Sequence, residues 1–368
     1  MSSPDRVAET AARSWFRRLW LPVAVLVAVT ALDLGTGRDT VFYPFLVLAP
    51  ALAAATAPPV GVLLIGVVAL PLRFLLAHYD ESIEPYDDPF FQVNTSVFVT
   101  AIAAAAILAK VRMSRERRLA AVTEIATAAQ RAILLPPPET VGGVRLAVRY
   151  FAVADGADVG GDLYEAVETP YGVRVLIGDV LGKGLPAVRT AAITLGAFRE
   201  AAYDEPELAA VARRIDRSLA RHTSGEVFVT ALFAEVRRDR VALLHRGHEQ
   251  PMLVRGDGRI TVLEPPDPGL PLGLGELDTG TPPPWTPLFR EGDLLLLVTD
   301  GVADARDAAG RPYPLVRRVV ELLGGRLLAR PDPAVAVGRV GDDLRRHVGR
   351  LRLTDDALLL ALARVPGG

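Results

Sequence analysis

Four apolar runs crowd the first 111 residues, at 19–34, 41–56, 60–77 and 93–111, and few charges interrupt them. A helix of roughly 17–25 such residues crosses the hydrocarbon core of a bilayer. The first two runs are short, but Trp15, Phe16 and Trp20 extend one and Phe42 and Tyr43 the other, as interfacial aromatics do. Buried helices of soluble proteins rarely carry apolar runs this long. A cleaved leader is disfavoured, because three more runs follow the first and no small-residue cleavage site is evident. The pattern predicts an all-α, four-helix transmembrane region over residues 1–111.

Charge predicts its orientation. Arg13, Arg17 and Arg18 precede the first run, and Lys110, Arg112, Arg115, Arg117 and Arg118 follow the fourth. The loop after the third run holds Asp80, Glu81, Glu84, Asp87 and Asp88. Basic residues favour the cytoplasmic side. Four spans then place the protein in the cell membrane as a multi-pass chain, with both termini inside and the acidic loop outside. Such a loop is a solvated surface or a sensor for a cation or ligand.

Residues 112–135 predict a helical connector, with no Gly or Pro until Pro136-Pro137-Pro138 stops it. Leu119, Val122, Ala126, Ala129 and Ile133 fall at three-then-four spacing. That is the seam of a short coiled coil and a route to a homodimer. The alternative is a helix packed on its own chain.

Residues 136–368 change character. Strands are predicted at 144–153, 163–168, 172–179, 227–236, 240–246, 251–255, 259–263, 293–299 and 357–364. Helices are predicted at 185–203, 206–222, 313–324 and 331–350. Strand blocks with segregated helix pairs argue an α+β layered domain rather than a doubly wound parallel sheet. The formal net charge of −2 supplies no bulk basic field, so no nucleic-acid partner is expected. The chain has no cysteine, which excludes disulfides, thiolate zinc sites and a thiol nucleophile.

Four aspartates stand beside the apolar strands: Asp162 in Gly160-Gly161-Asp162, Asp179 in Ile177-Gly178-Asp179, Asp300 in Thr299-Asp300-Gly301, and Asp355 in Thr354-Asp355-Asp356. A lone aspartate after a strand is most simply a turn former. Carboxylates at several strand ends can instead converge. A cluster of them stays ionised only beside a compensating cation. All-oxygen ligands suit Mg²⁺ or Mn²⁺.

The wording around these aspartates sharpens the reading. In order come Gln130 to Pro136 as Gln-x-x-x-Leu-Leu-Pro, Val159-Gly160-Gly161-Asp162-Leu163-Tyr164, and Gly178-Asp179-Val180-Leu181-Gly182-Lys183-Gly184. Then follow Phe228-Val229-Thr230-Ala231, Gly247-His248, Pro271-Leu272-Gly273-Leu274, Thr299-Asp300-Gly301-Val302 and Asp355-Asp356-Ala357. Over residues 130–364 the chain resembles the SpoIIE-like (RsbU-like) branch of the metal-dependent PPM, or type-2C, serine/threonine protein phosphatases. The resemblance implies an α-β-β-α four-layer sandwich of two antiparallel sheets with helices outside. It implies that Asp162, Asp179, Asp300 and Asp355, with the backbone carbonyl of Val180, hold two Mn²⁺ or Mg²⁺ ions. Asp356 is the neighbour of a matched ligand. The implied reaction is hydrolysis of a phosphorylated protein substrate, in this branch a small anti-sigma-factor antagonist. A catalytically silent membrane scaffold or receptor that binds a phosphoprotein is the competing reading. The chain departs from the family pattern at His245-Arg246-Gly247-His248, where Asn-Ala-Gly-His is common, and at Asp304, where Glu is common. Arg149 is either a phosphate-binding cation or a strand-surface charge.

Overall fold

The computed structural model describes residues 4–37, 40–80, 89–152, 160–223, 227–274, 280–324, 332–349, 351 and 353–365. The acidic residues Glu81, Glu84, Asp87 and Asp88, and Val159 of the Gly-Gly-Asp motif, lie outside them. The chain forms two compact units, Met1–Leu119 and Ala120–Gly368.

In the first unit, α1 spans Pro4–Thr36, α2 Leu48–Thr56 and α3 Pro59–Tyr79. The helix α4 (Pro89–Ile133) contributes its residues up to Leu119. Three stretches are long and apolar enough to cross a membrane: Arg18–Thr36, Pro59–Tyr79 and Phe91–Ile133. The run at 41–56 departs from the expected spanning helix. It folds as a 3-10 turn, Tyr43–Val47, followed by the nine residues of α2. Pro58 explains where it stops, since the residue before a proline is pushed out of the helical region. Ala57 is accordingly extended, with φ −112° and ψ 161°. The tighter winding adds reach: five residues at about 2.0 Å and nine at 1.5 Å give about 24 Å, against a core of about 30 Å.

Hydrogen bonds place the ends of these segments. The Thr56 hydroxyl donates to the Arg18 carbonyl at 2.8 Å. The Arg112 guanidinium donates to the carbonyls of Ala55 at 2.6 Å and Ala57 at 2.8 Å. Arg18, the end of α2 and Arg112 therefore share one end of the unit. At the other end the Phe42 N–H donates to Asp33 at 3.2 Å, and the Tyr43 ring meets Phe91 edge-on at 6.1 Å. The chain traverses the unit four times. Small residues bring the helices close, as in membrane packing: a Cβ on Gly66 would stand 2.8 Å from Ile102. Val67, Leu75, Ile107 and Leu108 face outward and are largely exposed.

Among the described residues, the second unit holds ten strands and six helical pieces. Its strands are β1 (Thr140–Val141), β2 (Val144–Phe151), β3 (Leu163–Thr169), β4 (Gly172–Val180), β5 (Val229–Arg237), β6 (Arg240–Arg246), β7 (Met252–Val254), β8 (Ile260–Val262), β9 (Leu294–Val298) and β10 (Ala357–Arg364). Its helices are the end of α4, then α5 (Leu185–Asp204), α6 (Leu208–His222), α7 (Asp300–Ala303), α8 (Leu315–Leu323) and α9 (Pro333–Val348). Each predicted strand and helix of this unit forms within two residues of its expected bounds; β1 and the four-residue α7 were not expected. One sheet runs β1-β2-β10-β9-β7-β8, the other β3-β4-β5-β6, and every pairing is antiparallel.

The layering follows from which strand faces are apolar. β4, β5, β9 and β10 are buried along nearly their whole length, so both faces must be covered. Val175, Ile177, Leu232 and Leu243 of one sheet meet Leu295, Leu297, Leu358 and Leu360 of the other. On the outer faces, α5 and α6 cover the four-stranded sheet through Leu195, Phe198, Ile215 and Leu219. The helices α8 and α9 cover the six-stranded sheet through Val319, Val340 and Leu344. This is the four-layer α-β-β-α sandwich.

The proposed coiled-coil seam divides. Leu119 and Val122 are 68% and 49% exposed. Ala126, by contrast, is buried against Val188 of α5, with Ala129 and Ile133 beside it. The lower part of the seam is thus used by the chain's own fold. The three prolines from Pro136 end α4, as expected.

Candidate metal centre

Strand order brings the aspartates to one rim. In antiparallel neighbours, the end of one strand lies beside the start of the next. Asp179 is the second-last residue of β4, and Asp162 immediately precedes β3; the register Leu163↔Gly178 sets them side by side. Asp300 follows β9 and Asp355 precedes β10; the register Leu359↔Val298 leads Asp300 to Ala357, two residues from Asp355. Each sheet supplies two aspartates.

Hydrogen bonds knit the two pairs across the sandwich. The Thr299 hydroxyl donates to Asp162 at 2.8 Å and accepts from the Leu358 N–H at 3.0 Å. Asp356 turns inward: its carboxylate accepts from the Gly160 N–H at 3.0 Å and from the Tyr150 hydroxyl. The Gln130 amide on α4 donates to Tyr150 at 2.9 Å and to the Gly160 carbonyl at 3.0 Å. Asp355 points the other way, half-exposed, with the Lys183 ammonium 3.7 Å from it. Two glycines permit the close approach. A Cβ on Gly161 would stand 2.4 Å from the Val180 carbonyl oxygen, and one on Gly301 would stand 1.8 Å from the Asp356 carbonyl oxygen.

The electrostatics are those of crowded, uncompensated carboxylates. Burial, then repulsion from Asp179, holds Asp162 well above the usual carboxylate range, against the opposing Thr299 hydrogen bond. Burial, then Asp300 and Asp355, pushes Asp179 up to about 7. Burial and then Asp355 raise Asp300. Glu249 is raised as well, by burial and then by Asp300 and Asp304. Among the described residues, no three carboxylate or imidazole groups stand close enough together to ligate one ion. The donor set nonetheless fits a hard divalent ion: carboxylate oxygens, a backbone carbonyl laid bare by Gly161, and unbalanced negative charge.

A carboxylate raised in the folded state holds more protons folded than unfolded. Its stabilising contribution is complete below the unfolded value near 3.8 and is lost as pH rises through the folded value, about 7 for Asp179. We expect the metal-free chain to melt lower at pH 8 than at pH 5, and Mn²⁺ to raise the melting temperature more at pH 8. Melting followed by circular dichroism in EDTA checks this. A flat profile between those pH values would remove the uncompensated cluster.

The remaining motif residues find structural roles. His248 is buried with its Nδ1 3.0 Å from the Thr230 hydroxyl, directly across the ladder from Asp179. Burial lowers it to about 3, so it is neutral at physiological pH. Arg246, the departure from the family wording, lies 3.2 Å from Asp216, which also accepts the Gly273 N–H at 2.7 Å. It pins the Pro271-to-Leu274 loop. Arg149 is a structural cation: it donates to the Gly338 carbonyl at 2.7 Å and to Asp342 at 2.6 Å, away from the aspartates. Sequence reasoning had no part for Tyr150, Thr299, Glu249 or Lys183 and undervalued Asp356. The only available signals were adjacency, Thr299 to Asp300 and Asp356 to Asp355.

Comparison with known proteins agrees with this fold. The family model of Stage II sporulation protein E (SpoIIE) matches residues 169–365, more than half of the chain. Phosphoserine phosphatase RsbU of Bacillus subtilis is 26% identical over 157 residues, 41% of this chain and 44% of that protein. The chain thus spans under half the length of that curated relative. The SiaA-PP2C domain of Pseudomonas aeruginosa superposes with a TM-score of 0.54 at 19% identity, over 68% of this chain and 98% of that domain. The RsbU and RsbW domains of Rv1364c from Mycobacterium tuberculosis give 0.50 at 23% identity, over 65% and 64%. At these identities the structural likeness speaks for the fold. From the family match, the sandwich and the order of its motifs, this chain belongs to the SpoIIE family.

Proposed function

We propose that this chain is a membrane-anchored, metal-dependent protein serine/threonine phosphatase. The observation that carries the reading is the rim to which the strand ends bring Asp162 with Asp179 and Asp300 with Asp355. Asp162, Asp179, Asp300, Asp355 and the Val180 carbonyl would hold two Mn²⁺ or Mg²⁺ ions. When bound, such ions lower the pKa of a water molecule and neutralise charge gathering on phosphoryl oxygens. The chain's own part is positioning. Thr299 orients Asp162. Gln130, Tyr150 and Asp356 fix the turn that delivers it. The neutral His248–Thr230 pair backs Asp179 without adding charge. With no cysteine in the chain, a phosphocysteine route is closed.

The substrate class is a phosphoserine or phosphothreonine on a protein, and RsbU's description as a phosphoserine phosphatase supports it. A small anti-sigma-factor antagonist is the specific partner we infer, with control of transcription as the output. Residues 1–111 serve as the anchor, 112–135 as the connector and 136–368 as the catalytic region. The four traverses, with Arg18 and Arg112 at one end of the unit, support a topology with both termini and the catalytic region cytoplasmic. The exposed Leu119 and Val122 leave a short seam for a homodimer.

The test is phosphate release by the full chain in detergent from a phosphorylated antagonist protein. We expect no release in EDTA and recovery with excess Mn²⁺. Tight binding of the phosphoprotein without a single turnover in Mn²⁺ would make the chain a scaffold instead.

A further inference from the structure

The basic end of the first unit holds a cavity of about 540 Å³ lined by Arg18, Thr56, Pro58, Arg112, Met113 and Glu116. Arg18 immediately precedes the first apolar run, Arg112 follows the fourth, and α2 ends at Thr56. The cavity therefore opens where hydrocarbon gives way to water. Its two guanidinium groups outnumber its one carboxylate. Arg112 is set in place before any ligand arrives, by its bonds to the Ala55 and Ala57 carbonyls. Those bonds use two of its five N–H donors. Its partner Glu116, 3.6 Å away, is largely exposed, so that pair is weak. Arg18 is exposed beside it.

Two features say what kind of anion fits. The Thr56 hydroxyl spends its proton on the Arg18 carbonyl and keeps only acceptor capacity toward the cavity. Glu116 is likewise an acceptor. A ligand that meets two cations and two acceptors carries an anionic group together with hydrogen-bond donors, as a phosphate bearing hydroxyl groups does. Next to the cavity, Trp20, Leu21 and Val23 on α1 and Leu108 and Val111 on α4 are exposed and apolar. They offer a surface for acyl chains directly below the charged groups.

We propose that this cavity is a binding site for the phosphodiester headgroup of an anionic, hydroxyl-bearing phospholipid. Arg18 and Arg112 hold the phosphate; Thr56 and Glu116 accept from the headgroup hydroxyls. Basic clefts between membrane helices are suited to such headgroups, and each basic residue at a membrane surface adds about a fivefold gain in affinity.

The experiment uses the full chain in nanodiscs of phosphatidylcholine with one-quarter phosphatidylglycerol, read by native mass spectrometry after release into detergent. We expect phosphatidylglycerol to be retained in preference to phosphatidylcholine. Arg18→Gln should cut that preference about fivefold and Arg18→Glu should abolish it, with Arg18→Lys keeping most of it. Arg117→Glu, an exposed charge reversal on α4 outside the cavity, should reduce the preference far less than Arg18→Glu does. Equal retention of the two lipids, or an equal loss in the Arg117 variant, would overturn the proposal. Displacement of phosphatidylglycerol by millimolar inorganic phosphate would keep the anion site but assign it to free phosphate. The site rests on reading these helices as membrane-embedded, and alkaline carbonate extraction separates the two ideas. A chain that resists extraction yet shows no lipid preference loses only the headgroup site.

Discussion

Asp179→Asn lowers Mn²⁺-dependent phosphate release by at least about 10²–10³-fold in kcat/KM, while the chain stays folded. Asp179 feels Asp300, Asp355 and Asp356 at once. The amide keeps the shape and removes the charge that a divalent ion needs. The same swap should stabilise the metal-free protein at pH 8, because a repelled carboxylate is gone. Each kcal/mol of relief is worth roughly 2–4 °C in a unit of this size. The two readouts must move in opposite directions: activity falls while the EDTA melting temperature rises. Asp300→Asn should behave alike. Wild-type turnover in either variant removes the assignment of the site. Lost activity with a lowered melting temperature would mark the aspartate as a structural residue instead.

Arg174→Ala should cost about 3–5 kcal/mol of stability, the usual result of breaking a buried ion pair on one side. Arg174 on β4 has no exposed surface and bonds Glu235 of β5 at 2.7 Å. It also donates to the carbonyls of Ala202 at 2.7 Å, Glu205 at 2.5 Å and Pro206 at 2.8 Å. Those carbonyls belong to the end of α5 and the turn after it, where a helix leaves acceptors unpaired and favours a cation. The arginine therefore fastens α5 to the four-stranded sheet. An apolar replacement of both Arg174 and Glu235 should not rescue the loss, because the three carbonyls stay unpaired. We expect the melting temperature to drop by about 6–20 °C. A loss below about 1 kcal/mol would show that water reaches this point and satisfies the carbonyls.

Much of the catalytic region was legible because its strands carry continuous apolar runs and its turns carry Gly, Pro and Asp. β4, β9 and β10 are such runs, and their bounds were expected within two residues. β1 escaped because two residues have no periodicity, and α7 because four residues after Thr299 read equally as a turn. In the first unit, the run at 41–56 was expected as one helix. Apolar composition says how greasy a segment is, but Pro58 and the 3-10 turn decide how far it reaches. The seam on α4 read as one surface; only the position of Val188 splits it into a buried part and an exposed part.

Local order along the chain was enough to put an aspartate at the end or the start of four particular strands, since turn chemistry and apolar runs act over a few residues. It could not say that Asp356 would turn inward to Gly160 while its neighbour Asp355 faced outward beside Lys183. Nor could it bring Gln130 to Tyr150. Those outcomes depend on β10 lying between β2 and β9, although β2 ends at Phe151, β9 at Val298 and β10 begins only at Ala357. That arrangement is chosen by the burial of two apolar sheet faces against each other, a term that exists only once distant segments meet.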